Sequence, residues 1–283
     1  MTCISRTPIM RAKAISLVIA AFAASTLLAR LHAEQPLTKP TEAVEIPLNP
    51  LPFVLKGILR HPEGGERFPA VVLLPACGRF ADSVDQIWGQ TLSSWGYVAL
   101  TLDVFTPRGI VGQNTCLYPA PPEFAEDAYR GLNLLAARKD VDPTHIFVIG
   151  FGRGGSLAFA AVERDGIERN ARRKFRGAVA FYPPCSDDKG VMAVATMVVV
   201  GAREQQLDGC RRMAEGTDDN GISRRRGASA PIRLAIVTDA YAGFDLPFFE
   251  KPLDVRGYHI EYSKSATDQA KGQLREFLES FAK

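Results

Sequence analysis

Short runs of consecutive apolar residues alternate with amphipathic segments along most of the chain. Such runs are typical of strands buried on both faces of a sheet. Between them, apolar residues recur every three or four positions, which predicts helices with one buried face. The predicted strands are 53–59, 69–75, 97–105, 145–150, 177–183, 193–201 and 232–238, and the predicted helices are 81–95, 123–138, one from about 154, and 266–281.

The alternation of strands and helices predicts an α/β fold with a mostly parallel central sheet and helices on both faces. No internal repeat and no long linker divides it, so we expect one domain at 51–283. A polar, proline-bearing segment, 34–50, is expected to form an extended arm before that domain. In sheets of this type, ligands bind at the carboxyl ends of the strands.

The first 33 residues have the pattern of a signal peptide. Arg6, Arg11 and Lys13 precede an apolar run, 14–29, that is shorter than the ~20 residues of a membrane span. Ala33 offers a small residue at which cleavage can occur. We therefore expect bacterial export to the periplasm or the medium, with no stable membrane anchor after cleavage; the alternative is an uncleaved anchor.

Removal of this leader changes the charge of the chain. The whole sequence has a formal net charge of +3, and the leader contains four basic residues and no acidic one, which leaves −1. A chain with this balance lacks the basic surface expected of a nucleic-acid-binding protein. We expect no nucleic-acid partner.

Four cysteines follow the leader: Cys77, Cys116, Cys185 and Cys210. An even number in an exported chain favours disulfides, for which three connectivities are possible; the alternative is four separate buried thiols. No CxxC spacing occurs and no histidine lies near these cysteines in the sequence, so we expect no metal site.

The stretch "VIGFGRGG", residues 148–155, predicts a buried strand, a glycine turn and a helix. Hydrolases of one large fold carry their nucleophile on such a turn, in the pattern G-x-S-x-G. Here the central position is Gly152, which has no side chain that could attack a carbonyl carbon. Glycine adopts the strained backbone angles of such a turn without the penalty that other residues incur.

Several further stretches resemble the dienelactone hydrolase family of α/β-hydrolases in the same chain order, over roughly 54–278. They are "VVLLPACGRF", "GYVALTLDVFTPRG", "FRGAVAFYPPC", "VVVGAREQQLDGCRRM" and "AYAGFD". The resemblance implies an α/β-hydrolase fold and hydrolysis of esters or lactones. It also implies a Ser or Cys nucleophile, an acid and a histidine, in that order, and no cofactor.

Matched to the family pattern, the three catalytic positions are Gly152, Glu204 and Ala242, with Asp208 as a second candidate for the acid. Two of the three positions therefore lack the atoms that perform the chemistry. This pattern favours a catalytically inactive member of the family. Such a protein would bind a small ligand, with an anionic group as one option, or a protein partner.

The ligand-binding residues implied by the resemblance lie around the same turn: Cys77, Gly78, Arg153 and Tyr241. The backbone N–H groups of Cys77 and Arg153 and the positive end of the following helix suit an anionic group. The family layout also pairs Cys77 with Cys116 and Cys185 with Cys210.

The competing hypothesis is an active ester or lactone hydrolase with a relocated nucleophile. The candidates are Ser156, which lies a full turn into the predicted helix, and Cys77. A relocated nucleophile also needs a general base within hydrogen-bonding reach. The histidines that follow the leader, His61, His145 and His259, are all predicted to lie away from the glycine turn.

Overall fold

Eight strands form one sheet in this computed structural model, which describes residues 41–282 except 66, 77–79, 112–119, 186–190, 216–228 and 256. In chain order they are β1 (Glu42–Pro47), β2 (Val54–Arg60), β3 (Phe68–Leu74), β4 (Val98–Asp103), β5 (Val141–Phe151), β6 (Gly177–Phe181), β7 (Thr196–Gly201) and β8 (Ile232–Val237). Their spatial order is β1-β2-β4-β3-β5-β6-β7-β8. Strands β3 to β8 pair in parallel, whereas β2 is antiparallel to both β1 and β4. The prediction of a mostly parallel sheet is confirmed.

All the described α-helices except the one at Leu207–Glu215 were predicted from the periodicity. Helix α1 comprises Ala81–Val84, a π-helical turn at Asp85–Gly89, and Gln90–Ser94; the others are α2 (Glu126–Ala136), α3 (Arg153–Val162), α4 (Leu207–Glu215) and α5 (Lys264–Glu279). Short 3-10 turns occur at Thr106–Arg108, Pro122–Ala125, Ile167–Asn170 and Pro247–Phe249. A small hairpin, β9 (Leu253–Val255) and β10 (Tyr258–Ile260), was not predicted.

Side chains alternate between the two faces of the sheet, and each face has its own apolar core. On β3, Val72 and Leu74 belong to one core and Leu73 to the other. Helices α2, α3 and α4 contribute to the first core, and α1 and α5 to the second. Each fully buried Leu or Val contributes roughly 1.5–3 kcal/mol relative to an exposed one, so the two cores hold the carboxyl ends of the strands in place.

The prediction of an arm at 34–50 is wrong for Glu42–Pro47. This segment pairs with β2 in register from Glu42↔Leu59 to Pro47↔Val54 and buries Val44, so it is the edge strand β1. Only Val44 and Ile46 of this strand face inward, with Glu45 between them, and so short an alternation gives little sign of a strand in the sequence. The predicted domain boundary at residue 51 therefore falls inside the sheet.

The predicted leader, 1–33, lies outside the described residues. In the part that is described, no helix is both long and apolar enough to span a membrane.

Candidate functional site

Gly152 forms the turn between β5 and α3 and has φ +51° and ψ −115°. A residue other than glycine would be strained by about 1–3 kcal/mol at these angles. The Gly152 N–H donates to the Phe181 carbonyl oxygen at 2.9 Å, which ties the turn to β6. The position thus has the backbone geometry expected of a nucleophile-bearing turn, but it lacks the nucleophile.

Two neighbouring glycines allow the chain to pass through this turn. A Cβ atom on Gly150 would overlap the carbonyl oxygen of Gly154, and one on Gly154 would overlap the carbonyl oxygen of Leu74. The end of β5, the start of α3 and the end of β3 are therefore in backbone contact. By contrast, a Cβ on Gly152 would lie 3.3 Å from the Ala76 Cβ, where only a small shift is needed.

Glu204, the residue at the acid position, follows β7 and is only 9% exposed. Its Oε2 accepts a hydrogen bond from the Gly201 N–H at 3.1 Å. Burial raises the pKa of this carboxyl to about 8. Asp208, the second candidate, has a side chain that is 79% exposed and lies 3.6 Å from Arg211. Of the two candidates for the acid, Glu204 is therefore the one that the fold buries.

Ala242, the residue expected at the histidine position, lies in the loop after β8. This loop contacts the loop that carries Glu204, because the Arg203 N–H donates to the Ala240 carbonyl oxygen at 3.0 Å. Ala242 also forms a single β-bridge with Ile260 of β10. The structure thus brings together the two loops that are expected from the sequence to carry the acid and the histidine, and the side chain at position 242 is a methyl group.

A buried hydrogen-bonded group that was not predicted links the glycine turn to the histidine loop. Asp245, which is 1% exposed, accepts hydrogen bonds from the Tyr182 hydroxyl at 2.9 Å and from Trp88 Nε1 at 2.6 Å. The Tyr182 ring lies beside Gly152, 3.8 Å from where its Cβ would stand. Burial raises the pKa values of both Asp245 and Tyr182, and the charge of Glu204 also raises that of Tyr182. Tyr182 lies at the end of the predicted strand 177–183 and Asp245 follows the predicted strand 232–238, and this is the only sign of them in the sequence.

Arg153, the first residue of α3, is buried, and its guanidinium carbon lies 4.8 Å from the centre of the Phe105 ring. Burial lowers the pKa of this side chain to about 10. Tyr241 is partly exposed, and its ring centre lies 4.2 Å from that of His259. The other two predicted ligand-binding residues, Cys77 and Gly78, lie outside the described residues. The role of all four in binding remains a prediction.

The three histidines in the described part of the chain contact carboxylates that do not belong to the glycine turn or to the acid loop. His61 lies 3.1 Å from Asp140 and 3.4 Å from Glu42. His145 lies 2.8 Å from Asp142. His259 contacts Asp254 and Glu261 at 2.9 and 3.1 Å, and both hydrogen bonds raise its pKa.

Ser156 occupies the fourth position of α3, and its N–H donates to the Gly152 carbonyl oxygen at 3.2 Å. It is therefore a residue of the helix rather than of the turn. Within the described residues, no group of three or more His, Cys, Asp or Glu side chains could hold a metal ion.

Two surface cavities of about 320 and 310 Å³ lie elsewhere. The larger is lined by residues at the amino ends of the strands, among them Arg67, Tyr97 and His145. The smaller contains the Arg60–Asp85 ion pair. Neither lining includes a residue of the glycine turn or of the acid and histidine loops.

Cys185 and Cys210 are joined by a disulfide, the pairing implied by the family layout. The bond connects the segment after β6 to α4 across a sequence separation of 25 residues. Cys77 and Cys116, the other expected pair, lie outside the described residues.

Replacing both Cys185 and Cys210 by alanine should lower the free energy of unfolding by about 3 kcal/mol, because a loop of this length is no longer closed in the unfolded chain. Urea denaturation of the double variant and of the oxidised parent would measure the difference. Treatment of the parent with a reductant should move its urea unfolding transition toward that of the variant. Coincident transitions of the oxidised parent and the variant would show that the disulfide does not stabilise the fold.

A family model described as the dienelactone hydrolase family matches residues 55–281. Three solved structures share the fold at low sequence identity. A dienelactone hydrolase-like promiscuous phosphotriesterase, P91, from metagenomic libraries is 17% identical, with 86% of this chain and 98% of that chain covered and a TM-score of 0.61. A dienelactone hydrolase from Anabaena variabilis is 14% identical (85% and 97% covered, TM-score 0.57). An esterase from Thermogutta terrifontis is 18% identical (84% and 91% covered, TM-score 0.58).

No curated protein matches the chain significantly. The family match spans most of the sequence and includes the glycine turn, the acid loop and the histidine loop. The mostly parallel eight-stranded sheet agrees with the fold of the solved structures. The chain belongs to the dienelactone hydrolase family.

Proposed function

We propose that this protein is a catalytically inactive member of its family that binds a small anionic ligand at the former active site. The family and the structural neighbours indicate hydrolase-type activity for proteins of this kind. The observation that carries the proposal is Gly152 at the turn between β5 and α3, with φ +51° and ψ −115°, together with alanine at position 242, where the histidine is expected.

Nucleophilic catalysis needs an oxygen or sulfur atom at the turn and a base that takes up its proton. Gly152 supplies neither atom. A base is equally lacking at position 242, where the side chain is a methyl group. The three histidines are bonded to carboxylates elsewhere. Of the three roles, only that of the acid retains a suitable side chain, Glu204.

The remaining features of the site suit binding. Helix α3 begins directly after Gly152 and spans Arg153–Val162, long enough for its dipole to favour an anion at its amino end. Gly152 places no side chain at that end, where a Cβ would lie 3.3 Å from the Ala76 Cβ and 3.8 Å from the Tyr182 ring. A carboxylate is the kind of group that such an end binds.

We also propose that the protein acts outside the cytoplasm, after removal of 1–33. The leader pattern supports this location, and the Cys185–Cys210 disulfide is the kind of bond that persists in an oxidising compartment.

The purified protein should show no turnover of p-nitrophenyl acetate or butyrate above a heat-denatured control. It should also gain no mass on incubation with an active-site-directed fluorophosphonate, because no activated nucleophile is present. Steady-state absorbance and intact-mass spectrometry would measure these two quantities. Turnover that disappears in Ser156→Ala or Cys77→Ala would overturn the proposal in favour of a relocated nucleophile.

A further inference from the structure

The loop that connects α3 to β6 carries a dense group of basic side chains. In residues 169–176, five of the eight residues are Arg or Lys and none is Asp or Glu. These residues, which we call the basic loop, are all exposed: Arg169, Arg172, Arg173, Lys174 and Arg176. Because like charges repel, such a concentration costs free energy unless an anion offsets it.

The protein itself supplies few carboxylates to the basic loop. Lys174 pairs with Glu168 at 2.7 Å. In the part of the chain that the structure describes, the four arginines of the loop form no ion pair with a carboxylate. Arg176 instead places its guanidinium carbon 5.1 Å from the centre of the Phe281 ring. The charge of the four arginines is therefore left for an anion from outside the chain.

Buried apolar side chains fix the position of the basic loop. Phe175 is only 2% exposed, and its ring centre lies 5.1 Å from that of Tyr129. Ile167 packs against the same core. The Arg176 N–H donates to the Ile146 carbonyl oxygen at 2.8 Å, which ties the loop to β5. The cations are thus presented from an anchored loop at the amino end of β6.

An apolar cavity adjoins the basic loop at the same edge of the sheet. It is the cavity of about 320 Å³, whose apolar wall is formed by Tyr97, Phe147, Leu278 and Phe281. Phe281 contacts Arg176 as well, so it connects the cavity to the loop. Asp142, a carboxylate of the lining, is already bonded to His145 at 2.8 Å. This edge therefore combines several cations with accessible apolar surface.

We propose that the basic loop and this cavity form a docking surface for a lipid bilayer rich in anionic phospholipid. The guanidinium groups would bind lipid phosphates, which their planar geometry suits, and an acyl chain would enter the cavity. Clusters of about four to eight basic residues are typical of surfaces that bind anionic lipid. An acidic protein also offers negative charge, but it lacks the apolar chains that the cavity would accept, so lipid is the partner that fits both features.

The inference goes beyond the proposed ligand binding because it concerns the opposite edge of the sheet. The basic loop precedes the amino end of β6, whereas Gly152 follows the carboxyl end of the parallel strand β5. A protein docked through the basic loop would present the glycine turn away from the bilayer. Binding at the turn and binding to lipid can therefore be tested separately.

The test is co-sedimentation of the purified protein with vesicles of phosphatidylcholine alone, or of phosphatidylcholine and phosphatidylglycerol in equal parts. We expect stronger binding to the anionic vesicles, and loss of this excess at high salt, because salt screens exposed charges. The Arg172→Glu, Arg173→Glu double variant should need at least ~25-fold more anionic lipid for half-maximal binding. Each basic residue near such a surface contributes about 5-fold in affinity.

The matched control is Arg211→Glu, Lys251→Glu, which makes the same change of charge at two exposed residues away from the amino ends of the strands. It should bind the anionic vesicles as the parent does. Every protein compared keeps residues 1–33, so any contribution of that segment is the same in each. Circular dichroism would confirm that both variants are folded.

Three results would overturn the proposal. The first is equal binding of the parent to the two kinds of vesicle, and the second is an equal loss of binding in both double variants, since net charge alone would then explain it. The third is full displacement from anionic vesicles by poly-L-glutamate at matched charge concentration, which would assign the basic loop to an acidic protein partner. None of these results bears on ester turnover or on ligand binding at the glycine turn.

Discussion

The Gly152→Ser, Ala242→His double variant should hydrolyse an activated aryl ester about 10²- to 10⁴-fold faster than Gly152→Ser alone. That range is the usual contribution of a positioned general base. Serine alone supplies a hydroxyl with no group to accept its proton. With histidine at 242, a base stands on the loop that contacts the Glu204 loop, so the carboxyl can orient it.

The serine itself fits at a cost. Its Cβ would lie 3.3 Å from the Ala76 Cβ, and the angles at position 152 add roughly 1–3 kcal/mol of backbone strain. The double variant should therefore unfold at a lower temperature than the parent while gaining activity. Absorbance assays with p-nitrophenyl acetate on the parent, both single variants and the double variant would measure the effect.

Adding Glu204→Gln to the double variant is the control, since it removes the acid that orients the new histidine and should cancel most of the gain. If Gly152→Ser alone were as active as the double variant, a base would have to come from elsewhere in the chain. The proposal that the wild-type protein is catalytically inactive would then depend only on the missing nucleophile at position 152.

Glu204→Gln should stabilise the fold at pH 8 and have little effect at pH 4. The pKa of this carboxyl is about 8 in the folded protein, against 4.5 as the ordinary value. Between these two values the unfolded chain releases the proton and the folded chain retains it. The stability of the parent should therefore fall as pH rises from about 4.5 to 8, by an amount on the order of 4 kcal/mol at 1.36 kcal/mol per unit.

Glutamine cannot ionise, but its amide oxygen can still accept the hydrogen bond from the Gly201 N–H. The free energy of unfolding of the Glu204→Gln variant should therefore lack this part of the pH dependence. Urea denaturation of the parent, Glu204→Gln and the exposed control Glu215→Gln at several pH values would separate the curves. Parallel curves for the parent and Glu204→Gln would show that Glu204 is ionised in the folded protein at neutral pH.

The sequence predicts those parts of the fold in which burial determines residue type over a whole element. The apolar runs that form β3, β6 and β7 are buried on both faces, and each was predicted as a strand. Strand β1 escaped prediction because only one of its faces contacts the core. The π-helical turn Asp85–Gly89 escaped because hydrophobic spacing does not separate one such turn from an ordinary helix.

The candidate site was predicted where a local motif marks it. Gly152 and Ala242 stand in short patterns, and the structure places their loops at the carboxyl ends of the strands. The hydrogen bond from Trp88 to Asp245 joins residues 157 positions apart, and no local pattern encodes it. The burial of Glu204 likewise depends on which groups surround it in space, so it could only be found in the folded chain.

The buried contact of Trp88 gives this protein an optical signal at its candidate site. The chain has two tryptophans, and Trp95, at the end of the same helix, is the more exposed. The Trp88 ring lies 4.7 Å from that of Phe181, and its N–H bonds the carboxyl that also holds Tyr182 beside Gly152. Indole emission responds to nearby charge and to the polarity of its surroundings. Intrinsic fluorescence can therefore follow events at the glycine turn without an added label.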